Sequence, residues 1–170
     1  MSRPGLHISA RSLLSVPILV MLSGIAFLIL VFRKKQITLE KANEIYSILL
    51  TSGLNDTLCR FALAQAAHET GGFTSHIFKA NNNAFGMKYA GQVNAQTEKN
   101  GYAYYVTLNH SVADFVAWYT RHRAASLFSL PLFITTLPNY VKFLKNNNYF
   151  EAKESEYLNG CQFFYNQIFG

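Results

Sequence analysis

Apolar and polar positions divide this chain into stretches with different periods. From Leu13 to Phe32 no charged residue interrupts a run dominated by Leu, Ile, Val, Phe and Met, and the run is apolar on every side. Twenty helical residues at 1.5 Å each measure about 30 Å, the hydrocarbon thickness of a bilayer. Pro17 and Gly24 are both compatible with a membrane helix. The run exceeds the roughly 7–15-residue core of a cleaved signal peptide, and it ends in Arg33-Lys34-Lys35 instead of a small-residue cleavage site. The pattern predicts a basic tail over 1–11, one uncleaved transmembrane helix with its basic flank over 12–35, and a single domain over 36–170.

Beyond residue 36 the period becomes helical. Ala42, Ile45, Ile48 and Leu49 recur at steps of three and four, which predicts a helix over 39–52 capped by Thr38 and stopped by Gly53. Leu58, Phe61, Ala62, Gln65, Ala66 and Glu69 form the stripe of a second helix over 57–70, capped by Asn55 or Asp56 and ended by Gly71-Gly72. Residues 75–92, rich in Asn and Gly, read as a loop that hides Phe78, Phe85 and Met87. Residues 101–108 have strand composition and are predicted to pair with 87–89 as a small hairpin. Ser111 is expected to cap a helix reaching Ala125, with Asp114 in its first turn. Pro131 and Pro138 mark the starts of two short helices, Asn146-Asn147-Asn148 breaks the pattern, and a last helix begins near Lys153. The expected fold class is α+β, mostly α, with a small β-hairpin lobe.

Composition adds to this picture. Half of the 170 residues are hydrophobic and 15% are aromatic, which excludes a disordered chain. The net charge of +6 suggests nucleic acid at first. Five of the fifteen cations flank the apolar run, however, and the domain keeps ten against nine acids. No basic stripe remains to track a phosphate backbone, so no nucleic-acid partner is expected. Cys59 and Cys161 are expected as two buried thiols, or as a disulfide if the domain is exported. No His/Cys cluster has metal-ligand spacing, so neither metal nor other cofactor is expected.

One acid is oddly placed. Glu69 ends an apolar helix, where the partial negative charge of the helix C-terminus disfavours a carboxylate by up to about 1 kcal/mol. Burial would raise its pKa further. A carboxyl that keeps its proton at working pH is what protonation of a glycosidic leaving oxygen needs. The bland alternative is a glutamate that points to water.

The surrounding residues narrow the choice. The segment 62–88 carries Gln65, Ala66, Glu69, Gly71, Ser75, Asn82, Asn83, Phe85, Gly86, Met87 and Lys88. It resembles the catalytic core of the glucosaminidase family of peptidoglycan hydrolases, glycoside hydrolase family 73, whose fold is lysozyme-like. The resemblance continues through 101–105 and 111–119 and reaches 147–160. It implies that Glu69 is the general acid, acting on the β-1,4 bond from N-acetylglucosamine to N-acetylmuramic acid. It also implies a tyrosine beside the active site, with Tyr157 the first match and Tyr149 the second.

The second catalytic group is less defined. Glu98, on the hairpin loop, is the candidate base or stabiliser. Asp114 is better explained by its helix, Glu40 and Glu44 by the first helix of the domain, Asp56 by a cap, and Glu151, Glu154 and Glu156 by the C-terminal region. Failing a second carboxylate, the substrate's N-acetyl group serves as nucleophile. Gln65, Asn82, Asn83, Phe85, Tyr104 and Tyr105 are the expected substrate-binding residues. For the asparagines the competing role is a turn, and for the aromatics core packing. His68 and Trp118 read as a core-edge and a core residue.

The expected partners are peptidoglycan glycan strands, and a membrane through the one N-terminal helix. Cations alone would place the domain on the cytoplasmic side, whereas the chemistry places it facing the cell wall, on a bacterial or viral membrane. A muramidase, a lytic transglycosylase and a non-catalytic glycan-binding module of an envelope or virion remain as alternatives. The oligomeric state is left open.

Overall fold

The computed structural model describes residues 39–125 and 134–170. The predicted anchor over 12–35, the Thr38 cap and Pro131 lie outside the described residues. Among those described, no helix is long and apolar enough to cross a membrane.

Helix α1 (residues 39–51) buries Ala42, Ile45 and Leu49, and Gly53 follows it with a φ of +84°. Helix α2 (Asp56–Glu69) starts where the Asn55 side chain accepts from the Leu58 N–H at 2.9 Å, satisfying one donor left open by the first turn. This helix forms the centre of the domain. Every residue from Phe61 to Ala67 is buried, and its four buried alanines allow close approach of neighbouring elements. It packs extensively on α6 (Glu154–Phe169), which in turn packs on α5 (Leu137–Asn146). Helix α5 has Thr136 as its cap and, as the sequence predicts, Pro138 in its first turn.

Three local readings are corrected. Residues 75–92 are not all loop: Ser75 caps a short helix, α3 (His76–Asn81), which Asn82 ends at a left-handed φ of +50°. The hairpin is formed by β1 (Thr97–Lys99) and β2 (Tyr102–Tyr104), antiparallel with Glu98 opposite Ala103. The predicted partner segment 87–89 contributes one backbone bond, Ala103 N–H to Met87 O, at 2.9 Å. Helix α4 (Leu108–Ala125) begins before Ser111, with Thr107 Oγ1 accepting from the His110 N–H. Ser111 is fully buried and its hydroxyl accepts from the Ala84 N–H instead. The domain is thus mostly helical with one two-stranded antiparallel sheet.

Candidate active site

Glu69 is the last residue of α2, where the sequence stripe places it. The chain turns away at once through Gly71, Gly72 and Phe73, all at positive φ, with the Thr70 hydroxyl accepting from the Phe73 N–H at 2.9 Å. The carboxyl faces a groove of about 590 Å³. One wall runs from Gly86 through Gln92 with Tyr102 behind it, and the other is the segment 148–152 that joins α5 to α6. Trp118 and Tyr157 complete the lining.

Two contacts hold the acid. The Tyr157 hydroxyl, from the first turns of α6, donates to Glu69 Oε1. On the other side Gly86 adopts φ +62°, and a β-carbon there would lie 2.8 Å from Glu69 Oε2. Only glycine combines that backbone with that clearance. Burial raises the Glu69 pKa, and the Tyr157 hydrogen bond, which favours the charged form, opposes it. The net direction is upward because desolvation is the larger effect. Tyr157 itself is held protonated, first by burial and then by the adjacent Glu69 charge.

Tyr157 is fixed on two faces. Phe150 stacks on its ring at 3.7 Å between centroids, nearly parallel, and His68 meets it edge-on at 4.8 Å. His68 fits there because Gly160 lacks a side chain; a β-carbon at 160 would overlap the imidazole. Burial lowers the His68 pKa, so the ring packs as a neutral group.

The structure brings some of the sequence candidates together and separates others. Glu69 and Tyr157 meet in the groove, and Tyr149 also lines it, its hydroxyl donating to Phe85 O at 2.6 Å. Glu98 is exposed on β1 and is not part of the lining. Gln65 is fully buried one turn behind Glu69, accepting from the Tyr140 hydroxyl.

The two asparagines hold backbone together. Asn82 Nδ2 donates to the carbonyls of Tyr105 and Val106, each at 3.0 Å. Asn83 Nδ2 donates to Met87 O and Ala103 O while its Oδ1 accepts from the Met87 N–H, shaping the turn that carries Gly86. Phe85 is buried and stacked on Phe115 at 3.8 Å. Tyr105 is fully buried; burial and the neighbouring Asp114 both push its phenol up. Tyr104 is half-buried on β2 and takes Lys99 Nζ over its ring at 5.2 Å, outside the groove lining.

Sequence reasoning missed several groove residues. Trp118, read as core, is half-buried and lines the groove, edge-on to Tyr149 at 4.7 Å. Tyr102 and Phe150 were hidden among aromatics of equal plausibility. Glu151 is the other carboxylate of the lining; it is 98% exposed and 3.9 Å from Lys88. Asp114 is buried and accepts from the backbone and side chain of Asn94, anchoring the loop before β1. Both Cys59 and Cys161 are free and buried, their thiols pushed up to about 11 and about 12, so the disulfide alternative does not hold. Among the described residues no group of His, Cys, Asp and Glu has the arrangement of a metal site.

No curated protein and no solved structure matches the chain. One family model does match: Glucosaminidase, described as mannosyl-glycoprotein endo-beta-N-acetylglucosaminidase, over residues 52–167. That range takes in the acid, the glycine turn, the hairpin and both groove walls. The match covers well over half of the chain, and with it the chain belongs to the glucosaminidase family, glycoside hydrolase family 73, and is a glycoside hydrolase of the endo-β-N-acetylglucosaminidase type.

Proposed function

We propose that this chain is a membrane-anchored peptidoglycan hydrolase that cleaves the β-1,4 bond between N-acetylglucosamine and N-acetylmuramic acid, with Glu69 as general acid. The observation that carries the reading is the half-buried carboxyl of Glu69 in an open groove, its pKa raised by desolvation. Such a group delivers a proton to the departing glycosidic oxygen while the bond to C1 breaks and positive charge develops on the sugar.

The second catalytic role then falls to the substrate. Glu98 is exposed on β1 and outside the groove lining, and Glu151 is solvent-exposed, so neither presents a second desolvated carboxylate. The N-acetyl oxygen attacks C1 from the opposite face, and ionised Glu69 afterwards takes the proton of the incoming water. Tyr157 keeps Glu69 oriented through both steps. Trp118 and Tyr102 are the lining aromatics against which sugar rings pack. The uncharged run over 13–32, bracketed by cations, supports an anchor that holds this domain at a membrane facing the wall.

The test is turnover of purified sacculi by the full chain beside its Glu69→Gln variant, with product ends read by mass spectrometry. Reducing N-acetylglucosamine ends are expected. Reducing muramic acid or anhydromuramic acid would transfer the chain to muramidase or transglycosylase chemistry, and equal clearing by the variant would remove Glu69 from the reaction. Protease accessibility of the domain on spheroplasts tests the topology.

A further inference from the structure

The wall of the groove between α5 and α6 has no regular secondary structure of its own, yet one cation grips it. Lys145, in the last turn of α5, directs its Nζ to three successive carbonyls: Phe150 O at 3.5 Å, Glu151 O at 3.0 Å and Ala152 O at 2.8 Å. The same ammonium lies over the Phe150 ring, 5.2 Å from its centroid. Its three donors thus converge on the stretch that forms this wall. Phe150 in turn lies flat on Tyr157, whose hydroxyl donates to Glu69.

From this geometry we infer that Lys145 is a positioning residue for glycan binding: it fixes the 150–152 wall and the Phe150 ring at the distance a saccharide chain requires. The inference rests on the reading of the groove as a glycan site. Lys145 touches neither the reacting atoms nor the acid, so its effect is on the grip of the enzyme and not on proton transfer. Tyr157 remains held by His68 and Glu69 when Phe150 loosens. Methionine at 145 keeps an unbranched stem but no donor. Arginine restores a charged fork able to reach adjacent carbonyls.

The experiment measures kcat and KM on sacculi, together with amide hydrogen exchange, for the full chain in mild detergent and for Lys145→Met and Lys145→Arg. Lys145→Met is expected to raise KM by about tenfold, the scale of one hydrogen bond from a charged donor, with kcat within about threefold of wild type. Exchange should quicken within 147–153 and stay unchanged in α2. Lys145→Arg should restore both. Unaltered exchange in 147–153, or faster exchange with wild-type KM, would overturn the inference. Absence of turnover by the wild-type chain would instead strike the proposed function, while the exchange data would still report whether Lys145 holds the wall.

Discussion

The hydroxyl of Tyr157 donates to Oε1 of Glu69 across 88 residues of sequence. Two opposed influences therefore meet on one carboxyl: burial, which favours its proton, and this hydrogen bond, which favours its charge. Tyr157→Phe removes only the second. The Glu69 pKa must then rise further, and the alkaline limb of the kcat/KM profile is expected to move to higher pH. kcat should fall by about 10²-fold, as for loss of a single preorganised donor. A limb displaced to lower pH would mean that the phenol does not act on Glu69 in this way.

Glu69→Gln should reduce turnover of sacculi by about 10²- to 10⁴-fold, the range assigned to a positioned proton donor. It should also stabilise the fold, at one end of the pH range only. A carboxyl whose folded pKa lies above its unfolded value contributes fully at low pH and loses that contribution as pH rises through the folded pKa. Thermal unfolding is therefore expected to show a higher Tm for the variant at pH 8 and no gain at pH 4.

Gly86→Ala combines a left-handed backbone with a β-carbon 2.8 Å from Glu69 Oε2. The backbone alone costs roughly 1–2 kcal/mol of stability. The displaced carboxyl should add a loss of kcat beyond what stability explains. Urea denaturation and kinetics on the same preparation separate the two effects.

The contact between Gly160 and His68 predicts a coupled pair. Gly160→Ala should destabilise the domain by about 1–3 kcal/mol, through overpacking where α2 meets α6. His68→Ala in the same chain makes room for the new methyl. The double variant should then recover stability relative to Gly160→Ala, and a cycle of the four proteins measures the coupling. Strict additivity would show that the two residues do not share this space.

Much of this arrangement is legible in sequence because helical periods and caps are local. The stripe ending at Glu69 gives both the helix and the partial burial of its acid, and Asn55 and Pro138 sit where capping chemistry places them. Tertiary competition hid the remainder. Ser111 looks like a cap, but its hydroxyl serves Ala84 from a fully buried site. The asparagines at 81–83 look like loop, yet their amides bind the hairpin to the helical body. Glu98 is plausible on a hairpin drawn in one dimension; in the structure it is exposed on β1 and outside the groove lining, although Tyr102 on the paired strand belongs to it. Trp118 shares a helix with core residues and differs from them only in the direction it faces.

The two sulfurs have a consequence for where such a domain can work. Cys59 and Cys161 are wholly enclosed and un-ionised at neutral pH, so neither is available for exchange with small-molecule thiols or oxidants. An oxidising exterior and a reducing cytosol would therefore meet the same covalent polypeptide. Export would call for no disulfide-forming helper, and the fold imposes no redox preference on the compartment it occupies.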